Sequence, residues 1–241
     1  MDKGLMPNLQ RLVNEGVCGN LATLDPAYSP MLWTSIATGK RPYKHGVHGF
    51  MEALPDGKTV RPVMSTTRTC KALWNIATQN NLKTHVVGWW PSHPAEPING
   101  IMVSNYFQHA NKSLSEEWTL APSAVHPLSK MAYFADFRVH PEELTTTHLQ
   151  PFVPEVWKID QSTDHRLSSI AQVTCDAASL QAAFTHILRT EEWDFAACYF
   201  AAIDHYCHGF MRYNPPKRDH IPQEDYDLYK DVVAGVIVFT T

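Results

Sequence analysis

Two short stretches of this sequence carry residue types able to do chemistry together. The first is YSPMLWTSIATGKRPYKHGVHGF, residues 28–50, in which Ser29 precedes Pro30 where a loop enters an apolar helical pattern. Serine is a favoured N-cap and proline a favoured first helical residue, so the pair can simply start a helix. The same place also suits a nucleophile. A hydroxyl at a helix N-terminus lies in a positive field beside free backbone N–H groups, which hold phosphate or sulfate oxygens and favour an alkoxide. The second stretch is DHYCH, residues 204–208, directly after the apolar run FAACYFAAI. Asp204 and His208 share a face if the segment turns helically and can then meet one cation. The carboxyl end of a parallel strand is also where open α/β sheets bind ligands. The plainer alternative is an Asp capping a turn and a His making an ordinary hydrogen bond. His205 is a competing ligand by position, but in a helical turn it points elsewhere.

The elements that must position these residues are legible from periodicity. Met6, Leu9, Leu12 and Val13 fall at helical spacing, with Pro7 suited to the first turn and Gly16 to the end. Residues 17–24 read as a strand, and an apolar helix follows over 30–38, closed by Gly39. The order then repeats. Cys70, Leu73, Trp74 and Ala77 share a helical face, and KTHVVGWW, residues 83–90, reads as a strand. A long helix over 167–190 delivers the chain to 195–203, whose continuous apolar character suits a strand buried on both faces of a parallel sheet. Helices alternating with such strands predict an α/β layered fold. Residues 91–165 break the alternation with Pro- and His-rich stretches and no evident buried strand. They read as an insertion or cap between a first core segment, 1–90, and a second, 166–241, because structureless loops longer than ~15 residues are uncommon in compact domains.

Composition narrows the function classes. The chain is 44% hydrophobic and 18% charged, with a net charge of -4. That is ordinary for a globular protein and offers no basic excess for a nucleic-acid polymer or a membrane surface. No apolar stretch approaches the ~20 residues of a membrane span, and MDKGLMPNLQ lacks a signal-peptide layout. Cys18, Cys70, Cys175, Cys198 and Cys207 form no CxxC pair and read as reduced thiols of a cytoplasmic chain. Gly46 and His45 read as a turn and a loop hydrogen bond. Trp89 and Trp90 sit at a strand end, where such residues are mostly core. Adjacent Glu142 and Glu143 diverge on a helix and read as a solvated face.

The combination of MPNLQRLVNEG, SPMLWTSIATGKRPYKHGVHGF and AAIDHYCHGF resembles the type I phosphodiesterase/nucleotide pyrophosphatase family of the alkaline phosphatase superfamily. Relatives read roughly T/S-x-P-x-W-T-S-x-x-T-G-x-x-P-x-x-H-G in the first motif and D-x-x-x-H in the second. The resemblance runs from Met6 to about Ala234. It implies an alkaline-phosphatase-like, mostly parallel sheet flanked by helices, with two divalent metal ions near the carboxyl ends of its strands, zinc or in some branches manganese. Ser29 aligns with the nucleophile, which also touches one metal. Asp204 and His208 align with two ligands of the other. Paired ions ~4 Å apart lower a hydroxyl's pKa and neutralise charge on the attacked phosphoryl group, so the resemblance implies a phosphoseryl intermediate and a small phosphate-ester substrate.

The sequence departs from the family pattern in three places. Relatives carry an Asp at the end of a strand before the first helix, and an Asp-His pair with a further His beyond the second motif. Neither occurs in these 241 residues. A zinc site takes about four ligands, so the expectation is a fragment with an incomplete metal site and little activity of its own. Relatives also place an Asn shortly after the HG pair to hold the phosphate. Phe50 stands there, which argues against nucleotides as substrate. The alternatives are a sulfatase, phosphonate hydrolase or phosphomutase on the same frame, or an inert binding chain.

Overall fold

A computed structural model of the chain describes residue 4, residues 6–110 and residues 112–239. Ten α-helices appear among them. They are α1 (Pro7–Glu15), α2 (Ser29–Thr38), α3 (Pro42–His45), α4 (Leu73–Gln79), α5 (Met131–Ala135), α6 (Thr146–Leu149), α7 (Arg166–Thr190), α8 (Ala202–Phe210), α9 (Gln223–Tyr229) and α10 (Val232–Phe239). A hairpin pairs β1 (Met51–Ala53) with β2 (Val60–Pro62). The remaining strands, β3 (Thr84–Val87), β4 (Met102–Val103), β5 (Val125–His126) and β6 (Phe195–Cys198), form one sheet in the order β5-β4-β3-β6. The fold is therefore α/β, as the alternation of elements predicts. The sheet is mixed: β3 runs parallel to β4 and β6, and β5 runs antiparallel to β4.

Successive residues of β3 point to opposite faces, as a strand's period of two requires. Val86 packs with Met102, Trp74, Ala72 and Ala37 on one face. Val87 packs with Val103, Val125, Leu180 and Ile187 on the other, against α7. A third cluster lies beyond the sheet, where α7 and α8 meet α9 and α10 around Ile170, Phe152, Tyr206, Tyr229 and Val236. Register is pinned outside the ladder as well. The Asp194 carboxylate accepts the Lys83 N–H at 2.7 Å, and the Asp194 N–H donates to the Lys83 carbonyl, so β6 starts level with β3.

Where the backbone must pass close to β3, only glycine serves. Gly100 has φ +155, and a Cβ there would lie 2.1 Å from the Thr84 carbonyl oxygen. That glycine lets residues 100–101 turn into β4, whose neighbour Ile101 supplies the carbonyl bonded by the Val86 N–H.

Several sequence expectations are corrected. Residues 17–24 form no strand. They are irregular and mostly exposed, and among the described residues their backbone joins no strand ladder. The apolar run 195–203 yields only β6; its backbone turns at Tyr199–Ala201 and continues as α8. β6 is half-buried rather than enclosed, since it forms one edge of the described sheet. The segment 91–165 does carry a buried strand: β4 is fully enclosed, and β5 joins the sheet beside it. Glu142 and Glu143 are exposed but occupied. Glu142 accepts from Ser113 and the Leu114 N–H, and Glu143 accepts from the His140 N–H. All five cysteines are free thiols.

Candidate active site

Ser29 enters the first turn of α2 one residue later than an N-cap. The cap position is Tyr28, in extended conformation, so Ser29 is the first helical residue and Pro30 the second. Pro30 has no N–H, which leaves the N–H groups of Ser29 and Met31 as the free donors of that turn among the described residues. The Ser29 hydroxyl is half-buried and has no hydrogen-bond partner among them. Further along α2, Thr34, Ser35 and Thr38 turn their hydroxyls back onto the Pro30, Met31 and Thr34 carbonyls. Gly39 then closes the helix in a left-handed cap, its N–H on the Ser35 carbonyl.

His45 buttresses this helix from below. It is fully buried, accepts the Val47 N–H on Nδ1 and meets the Ser35 hydroxyl through Nε2 at 3.0 Å. The Ser35 hydroxyl already donates to Met31, so His45 Nε2 is the donor. Burial holds this imidazole below its ordinary pKa, with the charge of His48 acting the same way, so the neutral donor form is favoured. Gly46 caps α3 with φ +82. Both residues of the HG pair thus build structure.

Asp204 and His208 lie one turn apart on α8, with Asp204 Oδ2 and His208 Nε2 3.5 Å apart and both side chains exposed. Ser29 and Asp204 line the same groove, about 900 Å³, together with Tyr199 and Phe200, the residues that follow β6. Trp33, Phe200, Ile203 and Cys207 give that groove an apolar floor, and Lys40 and Arg41 supply positive charge at its wall. His208 sits beside Asp204 but is not part of the lining. The charge of Asp204 is felt across the groove: burial, reinforced by Asp204, raises the pKa of both the Tyr199 hydroxyl and the Cys207 thiol. Tyr199 packs on Trp33 with ring centres 4.3 Å apart, and the Trp89 indole N–H donates to the Trp33 carbonyl.

The type I phosphodiesterase/nucleotide pyrophosphatase family model matches residues 1–227. The chain belongs to this family. No curated protein and no solved structure gives a match. The family is one of phosphate-ester hydrolases, and the match runs through both the Ser29 stretch and the Asp204 stretch.

The family is generally metal-dependent. Zinc ligands lie about 2.0–2.2 Å from the ion, so two donor atoms 3.5 Å apart span roughly one edge of its tetrahedron. Asp204 and His208 fit that edge. Among the described residues, however, no group of three or more His, Cys, Asp or Glu side chains is gathered to hold an ion. These residues therefore do not complete a metal site by themselves. No described helix is long and apolar enough to cross a membrane.

Sequence reasoning missed Tyr199, Lys40 and Arg41 as groove residues. Lys40 and Arg41 were inside the quoted motif but look like ordinary surface charge until α2 and α8 face each other. His205 faces away from the groove, as a helical turn predicts, and lines a separate cavity together with Trp90. Trp89 is the core member of that tryptophan pair, packed between Trp33 and Trp74.

Proposed function

We propose that this protein hydrolyses small phosphodiesters or phosphomonoesters through Ser29. The observation that carries the reading is that Ser29 and Asp204, from opposite ends of the chain, line one groove with Lys40 and Arg41. A phosphoryl group placed there meets the free N–H groups of the first turn of α2 and two cationic side chains, which favour its negative charge. In the proposed step the Ser29 oxygen forms a bond to phosphorus, the ester P–O bond breaks, and the alcohol leaves with the serine's proton. Water then cleaves phosphoserine and restores the hydroxyl. Asp204 and His208 are proposed as two ligands of a divalent ion, zinc or manganese, whose chemistry would be charge neutralisation at the phosphoryl group. Phe50, where relatives hold the phosphate with Asn, argues for an ester other than a nucleotide.

The test compares Ser29→Ala and Ser29→Thr in the gene's full reading frame, assayed for ester hydrolysis and thermal stability together. Ser29→Ala should abolish turnover while the protein stays folded, because no other group forms the covalent intermediate. Ser29→Thr should keep part of the activity. An alanine variant with near-normal rates would leave Ser29 as a helix residue only.

A second reading, a binding chain without turnover, is favoured by the missing third metal donor among the described residues. The 241 residues alone should then give little hydrolysis of bis-p-nitrophenyl phosphate with zinc or manganese added. Robust metal-dependent turnover by them would remove that reading.

A further inference from the structure

α2 and α3 meet at a corner turned by the left-handed Gly39 and the extended Arg41. The ring of His45, the last residue of α3, ties the two helices together across it. Both ring nitrogens are committed. Nδ1 accepts the Val47 N–H at 3.1 Å, and Val47 is itself fully buried, so that N–H has no access to solvent. Nε2 donates to the Ser35 hydroxyl at 3.0 Å, and Ser35 donates in turn to the Met31 carbonyl in the first turn of α2. On the α3 side, the His45 carbonyl accepts the Thr69 N–H at 3.0 Å.

This seat has room for one ring proton only. A backbone N–H can only donate, so Nδ1 must remain an acceptor and the proton sits on Nε2. A second proton would set two donors face to face and orphan the Val47 N–H where water cannot reach it, which is destabilising. Nothing around the ring compensates an imidazolium. Burial holds it below its ordinary pKa, and the charges of His48 and Arg68 act the same way. α2, SPMLWTSIAT, carries no charged side chain. Lys44, beside His45 on α3, adds a cation, and only its carbonyl reaches across, to the Thr69 hydroxyl. The carboxylate paired with Arg68, that of Glu96, is spent on Arg68 at 2.6 Å and on the Trp74 indole at 2.9 Å.

We propose that His45 is an acid-sensitive latch between α2 and α3: a second proton, taken up on Nδ1 from solvent, expels the Val47 N–H, unseats the ring and releases Ser35 from the corner. The direction follows from linkage. The folded ring is neutral, whereas in the unfolded chain it takes up a proton at about 6.5. The latch therefore holds in full above that value and is lost as pH falls below it. α2 lines the groove through Ser29, Leu32, Trp33, Ser35 and Ile36, so acid loosens one wall of the groove. The proposal rests on the geometry of the corner and holds whether or not Ser29 is a nucleophile.

The experiment is denaturant unfolding of the 241-residue chain and of His45→Gln at pH 7.5 and pH 5.5, with amide hydrogen exchange of α2 followed at both. Gln keeps a donor for Ser35 and does not titrate. Relative to His45→Gln, the unfolding equilibrium constant of the wild type should rise severalfold, up to about tenfold, between pH 7.5 and pH 5.5. Protection of residues 29–38, corrected for the intrinsic exchange rate, should fall in the wild type alone. If His45→Gln fails to fold, the nitrogen resonances of the wild-type ring decide: they should show the Nε2–H tautomer at pH 7.5 and a midpoint below 6.5. A constant ratio of unfolding constants, an equal loss of α2 protection in the variant, an Nδ1–H tautomer, or a midpoint at or above 6.5 would each overturn the proposal. Because no hydrolysis is measured, its failure leaves the reading of Ser29 untouched, and the reverse is equally true.

Discussion

Residues 7–24 and residues 164–236 use similar apolar patterns to opposite effect. In the first region α1 carries Leu9, Leu12 and Val13 on one stripe, yet none of its residues is buried, and Val17 and Leu21 beyond it are almost fully exposed. In the second, Ile170, Tyr206, Tyr229 and Val236 close on one another until almost nothing of them meets water. Its rim is tied by Arg166, whose guanidinium pairs with Asp164 and Asp225 at 2.7 Å each and stacks over the Tyr229 ring at 4.2 Å. The lesson is that periodicity specifies a helix, whereas stability comes only when a second apolar surface meets it.

Mutations can measure that contrast. The largest effect should come from Ile170→Ala, which opens a cavity in the middle of the second region and should cost about 2–5 kcal/mol in denaturant unfolding. A cost under 1 kcal/mol would mean that the cluster around α7 is loosely packed and that the two regions differ less than they seem to by shape.

Next in size is an acid effect at the rim. Hydrogen bonds from Arg166 hold the Asp164 carboxyl down to about 2, and Tyr229 donates to the same group. A carboxylate whose folded pKa is depressed adds stability above its unfolded value near 3.8, and that stability is lost as pH falls towards 2. With Asp164 mostly enclosed and Arg166 about one-third exposed, the contribution should be about 1–2 kcal/mol after allowance for solvent screening. Asp164→Asn should therefore be less stable than wild type at pH 7 and nearly equal to it at pH 2. A difference that persists unchanged at pH 2 would assign the effect to packing instead of charge.

The smallest effect should be Leu12→Ala in α1, within about 0.5 kcal/mol, since the side chain is 61% exposed and leaves no cavity. A loss of 2 kcal/mol or more would show that this stripe is covered in solution, and the comparison between the regions would fail.

The same contrast explains what the sequence could and could not reveal. α2, α7 and β3 were legible because each has its apolar residues at one period and a Gly, Pro or polar break at its ends. β4 and β5 were not, because two residues carry no period, and their pairing depends on β3 being already in place. Residues 17–24 have strand-like composition, but a strand is a relation to a neighbouring edge, which composition does not supply. At the site, the helical start at Ser29 and the Asp204–His208 turn follow from local spacing. The groove that brings Ser29 and Asp204 together does not, since it is assembled from opposite ends of the chain.

Gly100 carries a consequence for how this sequence can vary. Gly57 also has a positive φ, but a Cβ there would meet nothing within 4 Å, so Asn or Asp at that turn would keep the fold at modest cost. At position 100 the strained φ coincides with a backbone oxygen 2.1 Å from where any Cβ must sit, and backbone, unlike a side chain, has no rotamer to yield. Under mutational drift the first glycine is a graded preference. The second is all or none, so the crossing from residue 100 into β4 divides sequences that can inherit this sheet from those that cannot.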